Sequence, residues 1–189
     1  MSARSVTQAA TNAVTAPENR AAQAAARRGQ LYLAFMLGSE IFAIDILRIR
    51  EIIEYSPPTP VPMMPPSLQG VINVRGAVVP VVDLAVRFGW PPTGVGRRTC
   101  IVIVEIEHQA VRHVLGLVVD KVNAVTEIRN EDIDLPPAFG ASINADFISG
   151  MARIDGQFVV VLNIARTLTI EEMAAVEQVA LGGGDHSGG

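Results

Sequence analysis

The chain has 189 residues, with 15 basic and 19 acidic side chains, 49% hydrophobic residues and a single cysteine. Such an apolar fraction excludes a disordered polymer, one cysteine excludes an intrachain disulfide framework, and no apolar run reaches the roughly 18 residues of a membrane span. Residues 1–29 carry Arg4, Arg20, Arg27 and Arg28 against Glu18, a net of +3, so the remainder is at −7 and lacks the basic stripe that nucleic acid requires.

The first 29 residues include ten alanines among Thr, Asn, Gln and Ser, and read as a flexible leader with nothing from which to build a core. No continuous apolar stretch follows their basic residues, so no secretory signal is expected and the location is read as cytosolic. From residue 30 onward the dominant signal is short β-branched and aliphatic runs bounded by Gly, Pro, Asn and Asp. Strands are predicted over 30–37, 41–44, 49–54, 71–74, 77–82, 99–107, 111–119, 122–128, 148–154 and 157–162, with Gly38-Ser39 and Asp155-Gly156 as tight turns. Six prolines between Pro57 and Pro66 predict a stiff, extended connector.

Helices are few. Asp83 and Asn163 each stand as N-cap before a short apolar pattern, Leu84 to Phe88 and Ile164 to Leu168. Thr169 is placed to cap a longer C-terminal helix whose first turn carries Glu171 and Glu172 against the helix dipole. Residues 181–189 are Gly-rich and read as a flexible tail.

An internal repeat organises this body. Without gaps, 70–84 (GVINVRGAVVPVVDL) matches 150–164 (GMARIDGQFVVVLNI) in its glycine, strand, turn, strand, capping residue and helix start, at an offset of 80 residues. Upstream of each copy a strand ends at an aspartate, Asp45 or Asp120, and another follows. The pattern predicts an all-β fold of two five-stranded barrel subdomains with short capping helices and a C-terminal helix.

Catalytic chemistry is sparse. Cys100 lies within an apolar strand, where a thiol serves as a small buried hydrophobe. His108 and His113 flank a hairpin without a third spaced ligand, and Glu105 and Glu107 share one strand face, a spacing used by acid/base pairs and equally by solvated faces. Gly94-Val95-Gly96 precedes a strand, so it lacks phosphate-binding geometry, and no cofactor or metal is implied. Two features stand apart: Arg75 interrupts an apolar region at a turn, and 49–54 (IREIIE) alternates imperfectly, which leaves a large apolar side chain for the surface.

The segment from Gly70 to Leu84, together with Phe35 to Gly38, Phe42 to Ile52, Pro65 to Gly70, Leu115 to Val122 and Phe147 to Gly150, resembles the CheW family of chemotaxis coupling proteins. The likeness covers 30–180 and implies two intertwined SH3-like barrels without catalysis. It implies an adaptor that joins the cytoplasmic tips of chemoreceptors to the regulatory domain of the histidine kinase CheA, at the receptor array beneath the inner membrane and without insertion into it. A similar adaptor of a pilus-motility or other non-flagellar array is the alternative, and a small hydrolase built on Glu105 and Glu107 or the two histidines is the competing class. Matched by motif, Ile49, Glu51 and Arg75 correspond to receptor-facing positions, and Val61, Gly70, Val71 and Ile143 to the kinase-facing barrel ends. The Ala-rich leader and 91–98 fall outside the family pattern. There is no room for the other domains of CheA or for the receiver domain of CheV, so a free-standing coupler is expected.

Overall fold

In a computed structural model, the described residues are 20, 21, 24, 28–136 and 143–182. Most of the expected leader and tail therefore lie outside the described residues. Eleven strands are seen among them: β1 (Gln30–Leu37), β2 (Glu40–Asp45), β3 (Ile49–Glu54), β4 (Leu68–Val74), β5 (Ala77–Asp83), β6 (Cys100–His108), β7 (Val111–Val119), β8 (Lys121–Ile128), β9 (Ile133–Asp134), β10 (Ile148–Ile154) and β11 (Gln157–Leu162). Helices are α1 (Leu84–Arg87), α2 (Ile164–Thr167) and α3 (Ile170–Gly182). The ten expected strands are all present, and the eleventh, β9, is only two residues long.

The strands form two curled sheets, ordered β8-β1-β2-β11-β10-β9 and β3-β6-β7-β5-β4. One sheet thus has six strands where five were expected, because the short β9 adds to its edge. The two orders follow one plan. An antiparallel hairpin, β1-β2 or β6-β7, lies beside a second, β11-β10 or β5-β4, through a parallel contact, β2 with β11 and β7 with β5. The strand after each first hairpin crosses to the other sheet or arrives from it: β3 joins β6, and β8 joins β1.

Matching irregularities mark the repeat. Each copy has a bulge at its first glycine, between Leu68 and Gly70 and between Ile148 and Gly150. At each glycine another segment passes closely: a Cβ on Gly70 would sit 2.1 Å from the Thr59 carbonyl oxygen, and one on Gly150 would sit 2.3 Å from Ile133 Cγ2. Thr59 bridges to Val71, and β9 pairs with β10. At the tips, Arg75 and Gly76 have φ of 52° and 86°, and Asp155 and Gly156 have 50° and 79°, the doubly positive pattern of tight hairpins.

Apolar side chains divide into three clusters. The largest lies between the sheets and takes Phe35, Phe42 and Val160 from one sheet, Val104, Leu115 and Leu117 from the other, and Met173 and Val176 from α3. Tyr32, Ala43 and Val159 centre a second cluster within the six-stranded sheet, and Val81, Ile101 and Ile103 a third within the five-stranded one.

The caps differ from one another. Asp83 caps α1, accepting from the Ala85 and Val86 amides. Its equivalent, Asn163, does not act as a side-chain cap; instead its carbonyl accepts from Arg166 N and Thr167 Oγ1. Thr169 caps α3 reciprocally with Glu172: the Glu172 amide donates to Thr169 Oγ1 at 3.1 Å and the Thr169 amide donates to Glu172 Oε2 at 2.7 Å. Glu172 is buried, and it also accepts from Ser67 Oγ and pairs with Arg87 Nε at 2.9 Å. Arg87 in turn lies 4.4 Å from the Phe147 ring centroid and donates to the Thr167 carbonyl. This network ties the start of α3 to both sheets. Glu172→Ala removes one partner of a buried ion pair, and the expected loss is about 3 kcal/mol of unfolding free energy, read from the urea midpoint. A loss below about 1 kcal/mol would show that solvent replaces the carboxylate.

Candidate functional site

The strands β3 and β4 are opposite edges of the five-stranded sheet, yet Arg75, just beyond β4, reaches Glu51 on β3 with Nη2 3.1 Å from Oε2. The sheet therefore curls until its edges meet, and this ion pair stands where they do. A groove opens there, floored by Val74, Val78, Val79, Ile103 and Val114 and rimmed by Arg50, Glu51 and Arg75. The apolar floor continues the cluster inside the sheet, with Val79 and Ile103 buried and Val78 exposed.

Local backbone explains how Arg75 comes to stand free. Its φ of 52° lies in the left-handed region, where Gly, Asn and Asp are the usual occupants and an arginine is strained. Asn73 Oδ1 accepts from the Gly76 amide at 2.9 Å and fixes the turn. The Arg75 side chain is 82% exposed and its guanidinium touches only one carboxylate oxygen within the ion-pair range, so most of its donors face outward.

The residues expected at the receptor-facing site are only partly brought together. Glu51 and Arg75 meet, whereas Ile49 packs against the core between the sheets and does not line the groove. The exposed apolar side chain of β3 is Ile52. Of the expected kinase-facing residues, Gly70 and Val71 lie on the edge strand β4, where Val71 bridges to Thr59, and Val61 follows in the proline-rich connector beside the fully exposed Met63. Ile143 lies apart from them, buried at 7% exposure in the core between the sheets.

The groups considered for chemistry are spread along the β6–β7 hairpin. Glu105 pairs with Arg50 at 2.8 Å and with Arg112 at 3.4 Å, a set of contacts that the sequence reading missed. The sequence signal that could have found Arg112 is the hairpin register, which sets it near Glu105 on the same face once the turn is placed at Gln109-Ala110. His113 is buried with Nε2 unpartnered, 3.7 Å from Glu177, while His108 lies at the hairpin end opposite Val111. No cluster of three or more metal-ligating side chains occurs among the described residues. A second crevice, beside the six-stranded sheet, is lined by Tyr32, Asp45, Arg48, Asn130 and Ser149 among others; burial first and Asp45 second push the Tyr32 phenol above its ordinary range. No helix among the described residues is long and apolar enough to cross a membrane.

Comparison with known proteins gives one family. Residues 31–172 match the CheW-like domain. The chain is 32% identical over 152 residues to the chemotaxis protein CheW of Klebsiella aerogenes, covering 80% of this chain and 89% of that protein. It is 32% identical over 143 residues to the probable chemotaxis protein CheW of Rhizobium etli, covering 76% and 90%. Among solved structures, the scaffolding protein TtCheW of Thermoanaerobacter tengcongensis superposes with a TM-score of 0.68 at 29% identity, covering 76% of this chain and 90% of that one.

Cys100 gives a direct check of the local electrostatics. Burial first and the Glu54 carboxylate second push its thiol above the ordinary range, against a smaller lowering by the Val122 backbone. A raised thiol ionises later than in the unfolded chain, so stability conferred by the neutral form is fully present below the ordinary thiol range and is lost as pH rises from there through the raised folded value. Reaction of the native protein with an aromatic disulfide reagent at pH 8 is expected to be slower than that of the urea-unfolded chain; equal rates would contradict the raised ionisation.

Proposed function

The chain belongs to the CheW-like family of chemotaxis coupling adaptors, and from that premise we propose that it joins the cytoplasmic tips of chemoreceptors to the regulatory domain of the kinase CheA without chemistry of its own. On this reading it works at the receptor array, held there by its partners. The observation that carries the proposal is the groove at the closure of the five-stranded sheet, with an apolar floor and an arginine held open at its rim.

Physical complementarity supports the pairing. A receptor tip of helical-hairpin form presents an apolar ridge flanked by polar side chains, and a short groove accepts such a ridge in the manner of helix-in-groove recognition. Arg75 supplies outward donors for a partner carboxylate, while Glu51 holds one of its nitrogens and limits its freedom. For the kinase, the expected contact is around Val61, Gly70 and Val71, toward the start of β4 and away from its Arg75 end, where the exposed Met63 adds apolar area. Ile143 is buried in the core and is left out of this surface. Two separate faces let one small body hold two partners at once.

Calorimetric titration of the full chain against a receptor-tip fragment and, separately, against the CheA regulatory domain tests the proposal. Binding to both supports it, and binding to neither by folded protein overturns it. Arg75→Glu should weaken receptor binding by about tenfold while leaving the circular dichroism spectrum and kinase binding unchanged. Undiminished receptor affinity in that variant would remove Arg75 from the site.

A further inference from the structure

The ion pair between Glu51 and Arg75 does not account for all the charge at the groove. In the ladder between β3 and β6, Ile49 stands opposite Val104 and Glu51 opposite Ile103, so Arg50 is the extra residue of a bulge. In an unbroken strand Arg50 would project from the face opposite Glu51, but a bulge re-aims its side chain. Its guanidinium accordingly reaches Glu105, on the strand face that also carries Ile103 into the groove floor. Arg112 reaches the other oxygen of the same carboxylate from β7. Glu105 itself stands opposite Val114, another floor residue.

These charges are layered. The side chains of Glu51 and Glu105 are 26% and 25% exposed, whereas those of Arg50, Arg75 and Arg112 are 57%, 82% and 75% exposed. What an approaching partner meets is therefore cationic, with the acids beneath. Exposed pairs of this kind add little to stability, and a guanidinium has five N–H donors, most of which remain free here. Of the three arginines, Arg50 and Arg75 line the groove itself; Glu105 and Arg112 stand just beyond it, Glu105 opposite the floor residue Val114, and Glu107 lies a further step toward the hairpin tip, opposite Arg112.

We propose that Arg50 and Arg112, aligned by Glu105, form with Arg75 a cationic rim that binds carboxylates flanking the apolar ridge of an acidic amphipathic helix; this rests on the adaptor reading, with the receptor tip as that helix. Glu105 is a positioning residue, holding two planar forks at the mouth of the groove so that less side-chain freedom is lost when the partner docks. The body from residue 30 onward carries a net charge of −7, so its overall field disfavours an acidic helix and leaves recognition to local cationic groups such as this rim.

The test is titration of the full chain and its variants with the receptor-tip fragment at several salt concentrations, and with the CheA regulatory domain in parallel. Arg50→Gln combined with Arg112→Gln should weaken receptor binding about tenfold and flatten its salt dependence, with kinase binding unchanged as proof of folding. Glu105→Gln should weaken receptor binding while keeping the salt dependence, because the cations remain but are no longer aligned. Wild-type affinity and salt dependence in the double variant would overturn the rim, and tighter binding by Glu105→Gln would overturn the positioning role. If the wild-type chain binds the kinase domain but not the receptor fragment, the receptor half of the adaptor reading fails first and the rim falls with it.

Discussion

Both sheets bury one face in a single apolar core, and the fully buried Phe35, Phe42, Leu115 and Leu117 meet there from opposite sides. Neither sheet can leave that face bare, because a patch of such extent in water drives association. The chain meets this constraint by crossing between the sheets after each first hairpin, at Asp45 and at Asp120. Asp45 holds the first crossing by accepting from the Leu47 amide, and Asp120 holds the second by accepting from the Gly38 amide at 2.6 Å. The crossing has a functional result: β3 leaves the sheet of β2, becomes the edge of the five-stranded sheet, and delivers Arg50 and Glu51 to the place where that sheet closes on Arg75.

The scaffold occurs twice in the chain, and the two copies keep one backbone while differing at most side chains. Arg75 corresponds to Asp155, Val78 to Phe158 and Asp83 to Asn163, on backbones that share the bulge and the turn. In the six-stranded sheet the tip is acidic, and the exposed Phe158 lies under the Arg153 guanidinium at 5.2 Å. Asp83 holds far more than its helix: it accepts from Gln69 Nε2 and from both the amide and the hydroxyl of Thr93, pinning the loop that follows Trp90. Asn163 makes no such side-chain cap. Equal folds therefore carry unequal rims, which is what a body with two different partners needs.

Strand positions were legible because β-branched runs bounded by turn residues have few other ways to satisfy their backbone. β9 was not, since two residues give no period, and its place depends on the contact with Gly150 rather than on its own sequence. Asn163 stands at the N-cap as read, but without a side-chain cap bond, because Asn and Asp look alike as cap signals and only the buried Asp83 finds enough donors to use both its oxygens. At the groove, Arg75 stood out in the sequence as a charge at a turn within an apolar region, whereas Glu51 came from the family resemblance alone. Arg50 was hidden for a physical reason: a bulge arises from the pairing of two strands, so no reading of one strand can reveal which side chain it turns. Ile143 shows the converse limit, because an apolar residue beside a loop has the same pattern whether it faces a partner or the core.

Two carboxylate–guanidinium clusters in the same molecule show how exposure decides the use of one chemical pair. Around Glu172 the groups are buried, every oxygen is engaged by Thr169, Ser67 or Arg87, and loss of a partner would strand a charge in a poorly solvated place. That arrangement fixes a helix. Around Glu105 the arginines stand in water, the pairs are individually weak, and a new carboxylate can take up free donors without breaking the old contact. That arrangement is suited to a reversible partner, since little must be desolvated or reorganised before the new bonds form. The fold thus keeps its structural ion pair inside, between the sheets and the last helix, and its adaptable ones at the open end of a sheet, where docking would not disturb the core.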